Sequence, residues 1–312
     1  VSTPRLPDRV LLGAMGLLPA RLARRMLFLL SKYPTLADRW GYHVRRIHYY
    51  EPIPDFRTLT REQLKRRRLP AGVAFDIDEQ ARRIEDLAQR FADELRAIAE
   101  RNAFPFDNEY FAGYDAAVYY ALIRDLKPRR VMEIGGGYST RIAALALQAN
   151  EREGHAGTLT VIEPHPEPRL TQSGIAMTLI VEPVERVDAA IFAALAANDI
   201  LFIDSSHAVR TGGDVVYEFL DLLPTLATGT WIHVHDIFFP FDYPAEWVIE
   251  RRLALNEQYL LHAFLAYNHE FTPMLCNYWL GRERAASMRK LIDAKYRAKV
   301  PAYGASFWMV RR

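Results

Sequence analysis

Two stretches of the sequence place acids and imidazoles at the ends of apolar runs. In ILFIDSSH, Asp204 closes the run and His207 follows three residues later. In GTWIHVHDI, His233 and His235 share a side under strict alternation, and Asp236 comes next. Polar groups that end otherwise apolar strands are better site markers than the same groups elsewhere. His207 has the right ordinary pKa to take a proton near neutrality, and His235 is the competing base. Asp204 or Asp236 would orient the imidazole, hold an acceptor hydroxyl or, as a pair, bind Mg²⁺ through oxygen. A third protein oxygen is not evident, because Ile237 follows Asp236. Two His and two Asp also admit a redox iron site. His233 lies inside its strand and reads as structural.

The second chemical signal is VMEIGGGYST. Gly135, Gly136 and Gly137 come directly after an apolar strand and directly before a helical stretch. Glycines there allow a tight turn and close approach of a ligand to the backbone. Position 140 is Thr140 where a dinucleotide fingerprint wants a third glycine, and no Lys follows to make a Walker A loop. Glu133 before the turn suits a cationic ligand. S-adenosylmethionine carries an ammonium and a sulfonium and no pyrophosphate, so Glu133 favours it over a dinucleotide. Gly135 and Gly137 would pass close to its methionine part. Ser139 and Thr140 would cap the next helix or bond its carboxylate. Glu163 ends the next strand, TLTVIE, where an acid can accept from both ribose hydroxyls. Glu182, after LIV, is expected on the adenine side, and Asp115 near the cofactor's amino-acid end. Asn256 and Glu257 are expected to face the acceptor, with Tyr49, Tyr50 and Tyr243 as candidate pocket walls.

These groups need a frame, and the pattern supplies one. Apolar strands are expected at RVMEI, TLTVIE, MTLIV, DILFID, GTWIHVHDI, TPMLCN and ASFWMV. STRIAALALQA, DAAIFAALAA and VVYEFLDLLPTL read as helices between them, and EWVIERRLALNEQYLLHAFLAY as one long helix or two. Such alternation indicates a mostly parallel sheet covered on both faces. Upstream, spacings of three and four from Ile77 to Ile98 predict an amphipathic helix, and Asp115 to Leu126 a second one, broken by Pro128. Residues 1–103 read as a mainly helical extension, and 104–312 as the ligand-binding domain.

Composition narrows the classes. The 312 residues carry a formal charge of +2, and the basic run Lys65 to Arg68 has no interleaved aromatic ladder, so a nucleic-acid partner is not expected. The single cysteine, Cys276, excludes an internal disulfide and a cysteine metal site and suits a cytoplasmic setting. The N-terminal segment VLLGAMGLLPARLARRMLFLL is interrupted by Arg21, Arg24 and Arg25, so it is not read as a membrane span. It reads as an amphipathic helix that packs on its own domain, on a second copy, or on a membrane surface.

The stretch from about Phe104 to Trp308 resembles the class I S-adenosylmethionine-dependent methyltransferases. Within them it resembles methyltransferase domain family 24, near the sugar and catechol O-methyltransferases. EIGGGYST is similar to that superfamily's first motif, which implies cofactor contacts at Glu133, Gly135, Gly137 and Ser139, and Glu163 matches its ribose-binding acid. FIDSSH resembles the segment that holds a metal-binding acid and then a catalytic base, roles that fall on Asp204 and His207. Asp236 matches the next metal-binding acid. The sequence departs at Ile237, where related enzymes often supply another oxygen ligand, and at His207, where they have a lysine. The resemblance implies a Rossmann-like, doubly wound, seven-stranded sheet with an antiparallel last strand. It also implies an O-methyltransferase acting on a hydroxyl of a sugar, glycan or small natural product. Residues 1–103 would then cap the acceptor pocket or form a subunit contact. N-methylation of a small amine, a binding protein without turnover, and a nicotinamide oxidoreductase are the competing readings.

Overall fold

A computed structural model describes residues 19–297 and 303–312. The first part of the N-terminal apolar segment, up to residue 18, lies outside the described residues. The chain forms two compact units, Val1–Gln63 with Ala245–Ala254, and Leu64–Pro244 with Leu255–Arg312.

In the smaller unit, helix α1 (Ala20–Lys32) leads into a short helical turn at Pro34–Asp38. None of the residues of α1 is buried. The segment Glu246–Glu250 is a π-helical turn, and Glu250 pairs with Arg61. Among the described residues, no helix of the chain is long and apolar enough to cross a membrane.

The larger unit is built on seven strands in the order β3-β2-β1-β4-β5-β7-β6. They are β1 (Arg130–Ile134), β2 (Thr158–Ile162), β3 (Thr178–Ile180), β4 (Ile200–Ile203), β5 (Trp231–Val234), β6 (Phe271–Cys276) and β7 (Phe307–Arg311). Strands β1 to β5 pair in parallel, and β7 runs antiparallel to both β5 and β6. This is the Rossmann-like sheet with a reversed last strand that the sequence led us to expect.

Strict alternation sends successive strand residues to opposite faces, and each face has its own core. Val131, Phe202 and Trp308 pack on one side with α2 (Ile77–Glu100), α3 (Gly113–Leu126) and α4 (Tyr138–Arg152). Met132, Leu201 and Ile232 pack on the other with Phe219 and with Leu261 and Leu265 of α5 (Glu257–Leu265). Helix α2 begins where the Asp76 carboxylate accepts from the amides of Asp78 and Glu79, and its buried stripe is Ile84, Leu87, Phe91 and Leu95. It belongs to the larger unit, so residue 103, expected as a boundary, lies inside that unit.

Three expected helices are irregular. DAAIFAALAA yields only a 3₁₀ stretch at Ala189–Ala194. VVYEFLDLLPTL is one α turn, Asp214–Tyr217, that widens into a π turn over Glu218–Leu222. The long segment after β5 is broken between Glu250 and Glu257, where Asn256 leaves helical geometry and its side chain accepts from the Val209 amide.

Asp115 was expected at the cofactor, and the structure corrects this. Its carboxylate accepts from Asn277 Nδ2 at 2.9 Å, Ala305 N at 2.8 Å and Ser306 N at 2.9 Å. It clamps the lead-in of β7 onto α3. A buried carboxylate with three donors is costly to remove, because the donors lose their partner as well. Asp115→Ala should therefore lower stability by about 3 kcal/mol in urea unfolding, and a loss within error of zero would show that the clamp carries no load.

Candidate active site

The glycine turn owes its shape to the ends of two strands. The Asp204 amide donates to Ile134 O at 2.8 Å, extending the β1–β4 ladder by one bond. Gly135 then turns with φ +84°, and a Cβ there would lie 2.0 Å from Asp204 O. No side chain fits, and the positive φ independently favours glycine. At Gly136 a Cβ would press on Val161 Cγ1 at 2.5 Å, whereas at Gly137 it would meet nothing within 4 Å. The first two glycines are packing requirements, and the third borders open space.

Glu133 is fully buried beneath this turn. It accepts from Tyr119 Oη at 3.0 Å and from Thr140 Oγ1 at 2.5 Å, and Thr140 Oγ1 accepts from the Gly137 amide at 3.1 Å. Ser139, also buried, adds to the polar surroundings that lower the carboxyl's pKa. Burial outweighs these hydrogen bonds and pushes the carboxyl up to about 8. Glu133 thus fixes the turn from below, and Ser139 and Thr140 act through it.

Above the turn lies a cleft of about 820 Å³ including its mouth, a size suited to a cofactor. Its walls are the strand ends: Gly135, Glu163, Glu185, Asp204, Ser206 and Asp214 among others. Glu163 accepts from the Gly136 amide at 3.3 Å and the His165 amide at 2.7 Å, so it is held at the lip of β2. Glu182 does not reach the cleft. It is exposed, and Pro183, Val184 and Glu185 form the wall there, which corrects the expectation for that strand end. The charged lining is Glu163, Glu185, Asp204 and Asp214 against Arg210. That excess of acid fits a cation and opposes a pyrophosphate.

Asp204 also faces a second group of residues. His207 Nε2 lies 3.3 Å from Asp204 Oδ1 and 3.5 Å from Asp236 Oδ2, and its Nδ1 lies 2.8 Å from Glu257 Oε2. His207 holds this place with φ +57°, and its carbonyl accepts from the amides of Asn256 and Glu257. Burial would lower the pKa of His207, but hydrogen bonds to Asp204 and Glu257 and the charge of Asp236 raise it well above its ordinary value. Burial likewise works against Asp204, yet His235 and His207 hold its carboxyl down at about 2. Both ring nitrogens of His207 thus face carboxylates, which favour its charged form. His207 was expected to take the acceptor's proton, and the structure sets both of its ring nitrogens against carboxylates.

The same geometry bears on Mg²⁺. Asp204 Oδ1 and Asp236 Oδ2 both face His207 Nε2, and no group of three or more His, Cys, Asp or Glu side chains that could hold a metal ion occurs among the described residues. The residues do not fit a divalent site.

His235 is buried, with Nε2 3.6 Å from Asp236 Oδ1 and Nδ1 without a partner. Burial opposes its charge, and Asp204 and Asp236 raise it. Asp236 takes φ +54° and is raised by burial. His233 is structural as expected: it stacks on Phe202 at 3.8 Å, bonds Ser306 Oγ, and burial holds it neutral. Two acids were not read as parts of this cluster. Glu257 was expected to face the acceptor and instead carries His207. Glu218 is buried beside it, with Oε2 accepting from Ser205 Oγ at 3.1 Å, and burial with the charge of Glu257 raises it well above the carboxylate range. An acid inside VVYEFLDLLPTL was the available signal for Glu218.

Residues 132–237, which hold the turn, Glu163, Asp204, His207 and Asp236, match the family model described as a methyltransferase domain. This part of the chain is similar to methyltransferase domains. The matching family is the one that EIGGGYST, FIDSSH and HDI resemble. An uncharacterized protein of Archaeoglobus fulgidus is 29% identical over 172 residues, covering 49% of this chain and 74% of that protein. Among solved structures, the plantazolicin methyltransferase BpumL, in complex with a monoazolic desmethyl analogue and SAH, is 13% identical with TM-score 0.37, over 76% of this chain and 99% of that one. An O-methyltransferase from Bacillus cereus in complex with SAH is 13% identical with TM-score 0.36, over 71% and 90%.

Two measurements test the electrostatics of this site. Between pH about 4.5 and about 8 the unfolded chain has released the Glu133 proton that the folded chain keeps, so stability falls as pH rises through that window. Glu133→Gln should flatten that part of the stability–pH curve, and an unchanged slope would reassign it. Ring-nitrogen NMR at pH 7 should show His207 as imidazolium and His233 as neutral imidazole, and a neutral His207 would restore it as a base.

Proposed function

We propose that the chain is an S-adenosylmethionine-dependent O-methyltransferase that acts on a hydroxyl of a small molecule, with a sugar or glycan as the favoured class. The observation that carries this reading is the position of Asp204. It lines the acidic cleft over the glycine turn and at the same time meets His207, so the two sites share a wall.

S-adenosylmethionine, when bound, supplies an electrophilic methyl group on a positively charged sulfur. Glu163, at the lip of β2, would hold its ribose hydroxyls. The acidic lining would favour its positive charges, and Glu133 would keep Gly135 to Gly137 in shape. The acceptor hydroxyl must shed its proton as its oxygen takes the methyl group. Asp236 is the better placed acceptor of that proton: burial raises its carboxyl, whereas Asp204 is held low. His207 would orient both carboxylates and offset their charge, and Glu257 would orient His207 from behind. The choice of a sugar follows from the family neighbourhood.

N-methylation is the second reading, supported by the carboxylates that face both ring nitrogens of His207. A neutral amine needs no base before it attacks.

The first test is calorimetric titration with S-adenosylmethionine, with NAD as control. Saturable binding is expected, weakened by about 1–3 kcal/mol in Glu163→Ala, the range for lost hydrogen bonds to a charged group. A folded protein that binds no S-adenosylmethionine would overturn the proposal. Asp236→Asn should slow transfer to hydroxyl acceptors by roughly 10²-fold or more and spare amine acceptors. Equal losses on both would remove Asp236 as the proton acceptor.

A further inference from the structure

The smaller unit carries a surface that the chemistry above does not use. The period of 3.6 residues places Arg21, Arg24, Arg25 and Lys32 of α1 along one side and Leu22, Met26, Leu29 and Leu30 along the other. An apolar side this regular is ordinarily a packing face, and a packing face is buried. This one is not: Leu22 and Met26 are about half exposed, at 48% and 50%, and Leu29 and Leu30 are only half-buried. No acidic residue occurs in α1. The pattern continues beyond the helix. From position 20 to position 50 there are seven Lys and Arg against the single acid Asp38. Trp40, Tyr42, Tyr49 and Tyr50 in that stretch are all largely exposed.

We propose that residues 20–50 form a docking surface for an anionic lipid bilayer, on which α1 lies in the plane of the interface. The charge decides the occupant. A cationic rim around an exposed apolar face complements a surface that is negative at the headgroups and apolar just beneath them. Trp and Tyr, each with an apolar ring and a polar edge, favour that same boundary. Arg and Lys lay their stems along apolar surface and keep their charge at the headgroups. A second copy of α1 would oppose like charge with like charge. The helix rests on the surface without crossing, because it is 13 residues long.

The test uses the full chain and vesicles of phosphatidylcholine, alone or mixed with phosphatidylglycerol, read by sedimentation. Binding is expected to the mixed vesicles, to weaken with salt, and to fall roughly fivefold for each of Arg21, Arg24 and Arg25 changed to Gln. Leu22→Glu with Met26→Glu should abolish it. Both changes are at exposed positions, so the circular dichroism spectrum and S-adenosylmethionine binding should be unaltered, which separates failure here from failure of the proposed activity. No partition into mixed vesicles would overturn the proposal. So would full binding by the Leu22→Glu, Met26→Glu variant, which would leave charge alone at work. Binding of a single-stranded RNA oligomer as tight as that of vesicles, and indifferent to those two changes, would reassign the surface to a polyanion. A change of oligomeric mass in that variant with no vesicle binding by the parent would reassign it to a contact between copies.

Discussion

The arrangement depends on one crossing of backbone. At the end of β1 the chain passes so close to Asp204 that the Gly135 position has room only for a hydrogen. That contact fixes the carboxyl ends of β1 and β4 against each other, and those two strands are central in the sheet. The cleft opens above the crossing, Glu133 braces it from below, and Asp204 is delivered to the cleft wall by the same backbone that blocks the side chain.

Charge is organised in two different ways around this crossing. Glu133 and Glu218 are acids that burial keeps in their protonated range, so they serve as hydrogen-bonding parts of the interior. Asp204, Asp236 and Glu257 surround the His207 ring, and pairing with it offsets the cost of burying them. Half of this balance comes from elements that are irregular. His207 and Asp236 both adopt positive φ, and Glu218 lies in a π turn. Departures from regular geometry at such positions turn side chains toward one another that regular strands and helices would hold apart.

The sheet was legible because its strands are buried on both faces and so read as continuous apolar runs, as ILFI does in β4. The glycine turn, Glu163, Asp204 and Asp236 were legible because they directly follow such runs. The rest depended on contacts between distant parts of the chain. His207 Nδ1 is held by Glu257, 50 residues away, and no local pattern joins them. Asp115 looks like a polar group near a site, and only the fold shows it occupied by Asn277 and the approach to β7. Glu182 ended the right strand but is followed by Pro183, and the wall there is made by the residues that come after it. The break before Glu257 arises from a side chain of Asn256 reaching to Val209, again a tertiary event.

The placement of β7 has a consequence for how the chain is made. It is the last strand in sequence, yet it lies between β5 and β6. During synthesis, which runs from the N-terminal side, β5 must wait at an open sheet edge while β6 and its helices emerge. Their direct neighbour in the sheet does not yet exist. Only when Phe307 to Arg311 arrive can both edges close at once, with Asp115 ready to seize the residues just ahead. The exposed backbone of β5 during that interval is the stage of biogenesis at which this fold is most open to mispairing with another chain.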